Sequence, residues 1–124
     1  MSSRMYLLLR EVGRIVWVLP AVELSRRSLS LHHTVGRVRN WGFSAALRSE
    51  EERALLRRTI AAVDAWMPGG ANCVRRSLLE MRLDAGAAQE RLFAGFRAGG
   101  LPKSGHAWLE SHRSQETFDA VISI

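Results

Sequence analysis

The sequence has little of what cross-links small proteins or anchors them in membranes. Its 124 residues include 1 cysteine, Cys73, which excludes an internal disulfide framework and is typical of a reducing compartment. The 4 histidines do not cluster with it at metal-ligand spacing, so we expect no metal site and no cofactor. No apolar run approaches the about 20 residues of a membrane span. We therefore expect a cytoplasmic protein with no integral membrane segment.

Lysine is nearly absent, and the positive charge is unevenly placed. Of the 18 basic residues, 17 are arginine. Residues 1–62 carry 11 Arg against 5 Glu, a net charge of +6, whereas residues 63–124 carry 7 positive and 7 negative side chains, a net charge of zero. A basic half can attract nucleic acid, anionic lipid or an acidic peptide, although a solvated surface is the commoner origin of such a bias. No nucleic-acid-binding module is visible, and we expect no nucleic-acid partner.

The first half of the chain is predicted to be helical. Residues 4–19 place apolar side chains at helical spacing, which predicts an amphipathic helix that ends near Pro20. We expect this helix to pack in the core, with docking to a membrane or a partner as the alternative. Further helices are predicted over residues 21–31 and, from the capping box at Ser49, over residues 49–66. Residues 32–36 and 40–42 are predicted to be irregular connections.

The second half is predicted to be a helix followed by strands. A glycine-rich break at residues 69–70 precedes a helix from Cys73 to about Asp84, which Gly86 stops. Period-2 alternation then predicts three strands, of which the last two form an antiparallel hairpin: residues 89–97, 105–111 and 116–123.

The order of these elements indicates an α+β fold, with a helical N-terminal half followed by a helix and a small antiparallel sheet. We expect a single domain over residues 1–124. Residues 1–66 would be mainly helical support, and residues 67–124 would carry the catalytic helix and the strands.

Cys73, His106 and Asp119 are the candidate catalytic residues. A thiol attacks only as thiolate, and Cys73 lies in the first turn of a predicted helix, where unpaired N–H groups and the helix dipole favour negative charge. His106 is the candidate base that takes the thiol proton and later protonates a leaving amine. Asp119, predicted to lie diagonal to His106 across the hairpin, is the candidate carboxylate that orients the imidazole, with Glu110 in reserve.

Each of these residues also has a structural interpretation. A lone cysteine in a helix is more often a buried apolar side chain, and a strand histidine is more often structural. Trp66 and Trp108 are interpreted as core residues or as walls of a cleft. Arg75 and Arg76 are interpreted as surface or salt-bridge residues.

Three motifs carry a resemblance to a known family. They are Cys-x-x-Arg-Ser-Leu-Leu at residues 73–79, Gly-His-Ala-Trp-Leu-Glu at residues 105–110, and Phe118-Asp119 on a final strand. Together they resemble the lasso-peptide leader peptidases, which are transglutaminase-like cysteine proteases of ribosomal-peptide gene clusters.

This resemblance implies a papain/transglutaminase-like core and assigns three roles. Cys73 would be the nucleophile, His106 the general base and acid, and Asp119 the orienting carboxylate. The reaction would remove the leader from a precursor peptide before a macrocyclising cyclase acts. A separate small leader-recognition protein would present the leader as a strand added to its own sheet.

The basic first half suggests a further hypothesis, in which its arginines help to hold an acidic leader or partner. Charge reversal at Arg53, Arg57 and Arg58 tests it.

Three other functions stay open from the sequence. An amide-transferring transglutaminase-like enzyme would use the same triad. A non-catalytic scaffold would bind the precursor and its partners. A nucleic-acid-binding module rests on charge alone and predicts a steep salt dependence on DNA. The substitution Cys73→Ala separates the enzyme from the scaffold, because only an enzyme loses product while binding persists.

Overall fold

The structure, a computed structural model, describes residues 2–97, 105–112 and 118–124. Helices come first along the chain and short strands follow, which confirms the expected α+β fold. The elements are α1 (Ser3–Ser28), α2 (Leu31–Gly42), α3 (Glu50–Ala65), α4 (Cys73–Leu83), α5 (Ala85–Ala88), β1 (Leu92–Phe96), β2 (Gly105–Leu109) and β3 (Ala120–Ser123).

The predicted end of the first helix near Pro20 is wrong, because α1 continues through this proline to Ser28. A proline inside a helix removes one backbone hydrogen bond. Here Val18 and Val22, on either side of it, are both buried in the core, so packing holds the helix together across the gap. Among the helices in the described ranges, none has the length and apolar content needed to cross a membrane.

The predicted irregular connections at residues 32–36 and 40–42 are also wrong, since both lie within α2. Ser30 caps this helix, and its hydroxyl accepts the N–H of His33 at 3.2 Å. Burial of Val35 and Val38 supplies the packing that the weak sequence pattern did not reveal.

The later helices are confirmed. At the start of α3, the Ser49 hydroxyl accepts the N–H of Glu52 at 3.2 Å and the Glu52 carboxylate accepts the N–H of Ser49 at 3.1 Å, which is the predicted capping box. Helix α4 ends at Leu83. Gly86, which was predicted to stop it, lies within the short α5 that Asp84 caps.

Helix α4 lies at the centre of the molecule. It packs against α1, α2, α3, α5 and β2, so most of its circumference is covered. Its apolar side chains are buried with those of the surrounding elements: Leu78, Leu79, Met81 and Leu83 of α4, Ile15, Val18 and Val22 of α1, Leu56 and Ile60 of α3, and Ala107 and Leu109 of β2. The first residue of a central helix is therefore held at a defined place.

The sheet has the order β2-β1-β3, with antiparallel pairing throughout. The predicted terminal hairpin between the last two strands is wrong, because β3 pairs with β1 and not with β2. The free edge of β2 is covered by α4, which leaves the second edge of β1 for the final strand. The residues of the predicted hairpin loop at 113–115 lie outside the described residues.

Two glycines of α2 give a matched test of the contact between α2 and α4. A Cβ at Gly42 would lie 1.9 Å from the Met81 carbonyl oxygen and 2.8 Å from the Ala88 Cβ, whereas a Cβ at Gly36 would meet nothing within 4 Å. We predict that Gly42→Ala destabilises the fold by at least about 2 kcal/mol through overpacking. Gly36→Ala should stabilise it by about 0.5–1 kcal/mol by favouring the helix.

Chemical denaturation of the two variants beside the wild type checks this prediction. Similar free energies of unfolding for both variants would contradict the close packing of α2 on α4.

Candidate active site

The chain reverses just before Cys73. Gly69 and Gly70 both have φ of +88°, a backbone conformation that glycine adopts without strain. Asn72 then caps α4, its side-chain oxygen accepting the N–H of Arg75 at 3.0 Å. Cys73 is the first residue of α4 and is partly buried. The predicted break followed by a helix start is thus confirmed, and it puts the thiol in the first turn.

A buried ion pair holds this helix start in place. Asp64, fully buried at the end of α3, accepts hydrogen bonds from Arg75 Nε at 2.6 Å, Arg76 Nη1 at 3.0 Å and the Asn72 N–H at 2.9 Å. Arg75 also donates to the Gly70 carbonyl at 2.8 Å. Because a buried charge is tolerated only when it is paired and hydrogen-bonded, these contacts fix α3, the turn and α4 relative to one another.

The two arginines were both interpreted as surface or salt-bridge residues, and the structure assigns them different places. Arg76 keeps 36% of its side chain exposed, as a surface salt-bridge residue does, whereas Arg75 keeps only 2%. Arg75 also approaches Glu23 of α1, with 3.5 Å between Arg75 Nη1 and Glu23 Oε1. It is a salt-bridge residue of the interior.

Strand β2 reaches the thiol with its backbone. The N–H of Glu110 points toward β1, where it donates to the Arg91 carbonyl, so the alternating geometry of a strand turns the N–H of Ala107 the opposite way. That N–H donates to Cys73 Sγ at 3.3 Å. This contact holds the sulfur of Cys73 against the backbone of β2.

The thiol opens into a cleft of about 290 Å³ between α3, α4 and the edge of β2. His106, the neighbour of Ala107, lines the same cleft, so the structure brings the predicted nucleophile and base to one place. On α4 the lining residues recur one helical turn apart. The lining comprises Arg57, Ile60 and Ala61 of α3, Cys73, Arg76, Ser77 and Glu80 of α4, His106, Ala107, Trp108 and Leu109 of β2, and His112.

Two aromatic rings lie beside the His106 imidazole and also contact each other. The Trp108 ring stacks near it at 5.7 Å between centroids and 21° between planes, and the Phe118 ring at 6.4 Å and 13°. Gly95 makes room for Phe118, because a Cβ there would lie 2.5 Å from the phenyl ring. Trp108 is thus a wall of the cleft, whereas Trp66 is 90% exposed and is not among the lining residues.

Asp119 lies across β1 from the strand that carries His106. Its N–H donates to the Phe96 carbonyl at 3.0 Å, immediately before β3 begins. The diagonal relation to His106 that the hairpin predicted is therefore wrong, because β1 separates the two strands. Phe118, its neighbour, nevertheless stacks near the His106 ring, so the segment reaches the site by another path. The role of Asp119 stays a prediction.

The other end of the cleft holds Glu80 and His112, two residues without a predicted role, beside Arg57. Glu80 is 5% exposed, and its Oε2 accepts from Arg53 Nε at 2.7 Å and from Arg57 Nε at 2.8 Å. His112 Nε2 lies 3.8 Å from Glu80 Oε1. The spacing of Cys73 to Glu80, seven residues, puts both on one helix face and was the signal available in the sequence.

Comparison with known families agrees with this arrangement. The family model of the transglutaminase-like superfamily matches residues 16–118, which is most of the chain and includes both Cys73 and His106. The chain belongs to the transglutaminase-like superfamily. Proteins of this superfamily are generally cysteine-protease-like or acyltransferase-like enzymes. No curated protein and no solved structure shows significant similarity to the chain.

In this transglutaminase-like domain, the cleft is lined by the thiol of Cys73 and the imidazole of His106. Within residues 2–97, 105–112 and 118–124, no group of three or more His, Cys, Asp or Glu side chains is arranged to hold a metal ion.

The buried ion pair gives a matched prediction at neighbouring arginines. Arg75→Met leaves Asp64 without its closest partner in the interior, and we predict a loss of about 3–5 kcal/mol in the free energy of unfolding. Arg76→Met removes a half-exposed donor and should cost about 1 kcal/mol or less. Equal losses in denaturant unfolding would contradict the assignment of Arg75 as the interior partner.

The pKa of His112 gives a second prediction. Burial lowers it below the ordinary value of 6.5, the positive charge of Arg57 lowers it further, and Glu80 opposes both. The fold therefore favours neutral His112, and the stability this contributes is present above pH 6.5 and is lost as pH falls through the lowered pKa. In an NMR titration of the ring, the midpoint should lie below 6.5 and rise in Arg57→Gln. A wild-type midpoint at or above 6.5 would count against this electrostatic environment.

Proposed function

We propose that this protein is a cysteine endopeptidase that removes the leader from a lasso-type precursor peptide. The observation that carries the proposal is the hydrogen bond from the Ala107 N–H to Cys73 Sγ at the first turn of α4. It joins the nucleophile to the residue next to His106. The motif resemblance described above supplies the substrate class.

The proposed chemistry begins with transfer of the thiol proton from Cys73 to His106. The thiolate attacks the carbonyl carbon of the scissile peptide bond, and the negative charge moves to the carbonyl oxygen. The C–N bond then breaks, the His106 imidazolium protonates the leaving amine, and the leader remains as a thioester on Sγ. Water, deprotonated by His106, hydrolyses the thioester and restores the thiol. The backbone N–H of Cys73 is the proposed oxyanion donor.

Asp119 is proposed as the carboxylate that orients the His106 imidazole. Support comes from the stacking of the adjacent Phe118 near the imidazole, which brings this segment close to the His106 ring. In this role the carboxylate would favour one tautomer of the ring and stabilise the imidazolium.

The proposal includes further proteins and a compartment. A separate small leader-recognition protein would present the leader, and a macrocyclising cyclase would close the released core. The reaction would take place in the cytoplasm and need no cofactor. The single domain of residues 1–124 would use residues 1–66 as helical support for residues 67–124.

The hypothesis that basic residues hold an acidic leader is not cleanly tested by reversing the charge of Arg53, Arg57 and Arg58 together. Arg53 and Arg57 are engaged with the buried Glu80, so reversing their charge would disturb the cleft itself. Arg58 is exposed on α3 and lines an apolar groove against α1. Arg58→Glu is therefore the sharper test, and unchanged cleavage in this variant would count against the hypothesis.

Mass spectrometry of a candidate precursor incubated with the full chain and a small recognition-domain protein tests the proposal. We predict that wild type releases intact leader and core peptide. Cys73→Ala should abolish the product while precursor binding persists, His106→Asn should reduce the rate by at least about a hundredfold, and Asp119→Asn should reduce it less. His33→Asn, at an exposed site on α2, is the control and should keep the full rate.

Other outcomes identify the alternatives. If an added amine is joined to the leader in place of water, the chain is an amide-transferring enzyme. If Cys73→Ala leaves the biological output unchanged, the chain is a scaffold, and the peptidase proposal fails.

A further inference from the structure

The outward face of α1 is apolar along most of its length. At 100° per residue, its large side chains fall within an arc of about 100°, opposite those that α1 buries in the core. Each is at least half exposed: Tyr6 by 58%, Leu9 by 52%, Val16 by 52%, Trp17 by 85% and Leu24 by 68%. A continuous exposed stripe of this kind marks an interaction surface.

The charged residues beside this stripe are arginines. Arg10 is exposed, and the side chains of Arg14 and Arg27 are 40% and 65% exposed. The acids within Ser3–Ser28 are Glu11 and Glu23, which are both buried and paired with arginines, Arg14 and Arg27 among them. Five arginines against these two acids leave α1 with an excess of positive charge. The outward face therefore offers positive charge to whatever covers it, and the complementary surface is anionic.

We propose that α1 docks its outward face on an anionic lipid surface, with the helix axis lying in the plane of the membrane. The apolar side chains would enter the boundary between headgroups and acyl chains, and the arginines would meet lipid phosphates. Tyr6 and Trp17 have the amphipathic rings that are favoured at this depth. The helix would lie on the membrane without crossing it.

A second copy of the chain fits this face less well. The stripe is about 27 Å long and about 10 Å wide, an area of roughly a third of the about 800 Å² per partner in a stable interface. Two such faces would also bring arginines together with no acidic side chain of α1 to receive them.

An acidic protein partner fits it less well too. Partner helices bind in grooves, and the apolar groove beside α1 lies toward α3, away from the outward stripe. Its two arginines, Arg4 and Arg58, are matched by Glu51 and Glu52. The outward stripe, with Trp17 standing 85% exposed, is convex. A convex apolar face bordered by arginines matches the flat, deformable and negatively charged surface of a bilayer.

Co-sedimentation of the full chain with lipid vesicles tests the proposal. We expect binding to vesicles of equal parts phosphatidylcholine and phosphatidylglycerol, much weaker binding to phosphatidylcholine alone, and a loss of binding as salt is raised. Trp17→Glu should lower the partition coefficient at least about tenfold. Arg10→Gln should lower it about fivefold.

Trp66→Glu is the matched control, because Trp66 is 90% exposed but lies outside α1, and it should bind like wild type. Leu24→Glu repeats the test at a second exposed position, and circular dichroism verifies that each variant is folded. The proposal is overturned if wild type does not bind the anionic vesicles, if both lipid compositions bind equally, or if Trp17→Glu and Trp66→Glu behave alike. It is also overturned if light scattering shows a dimer that Trp17→Glu dissociates.

Discussion

The buried pair of Asp64 and Arg75 links the end of α3, the glycine turn and the start of α4. Neither charge has water to solvate it, so each depends on the other and on the hydrogen bonds around them. The Asp64 carboxylate takes three donors, and Arg75 adds the Gly70 carbonyl to the set. A shift of the turn would break several of these contacts at once. The position of Cys73 follows from this arrangement.

The sheet follows from the same helix. Because α4 covers the edge of β2 and the Ala107 N–H is bound to Cys73 Sγ, the last strand pairs on the far side of β1. That topology brings Phe118 over Gly95 and toward the His106 ring. Packing at one edge of β2 thus determines both the shape of the cleft and the aromatic surroundings of His106.

Much of this site could be predicted from local sequence, and the rest depends on distant pairings. The capping box at Ser49 and the glycine turn before Cys73 are local signals, and both are confirmed. Helix α2 was missed because its buried side chains are few, and tertiary packing makes it a helix. The place of β3 was missed because strand alternation does not reveal which edge a neighbouring helix covers. The ion pairs of Asp64 with Arg75 and Arg76 were not predicted, because the residues next to Asp64 in the sequence do not indicate them.

The proposed mechanism requires His106 to take the proton of Cys73. Because Cys73 is the single thiol, intact-mass measurement of its alkylation by iodoacetamide at neutral pH follows this residue alone. We predict that His106→Asn slows the alkylation by at least about tenfold, while His33→Asn leaves the rate unchanged. Equal rates in wild type and His106→Asn would contradict it.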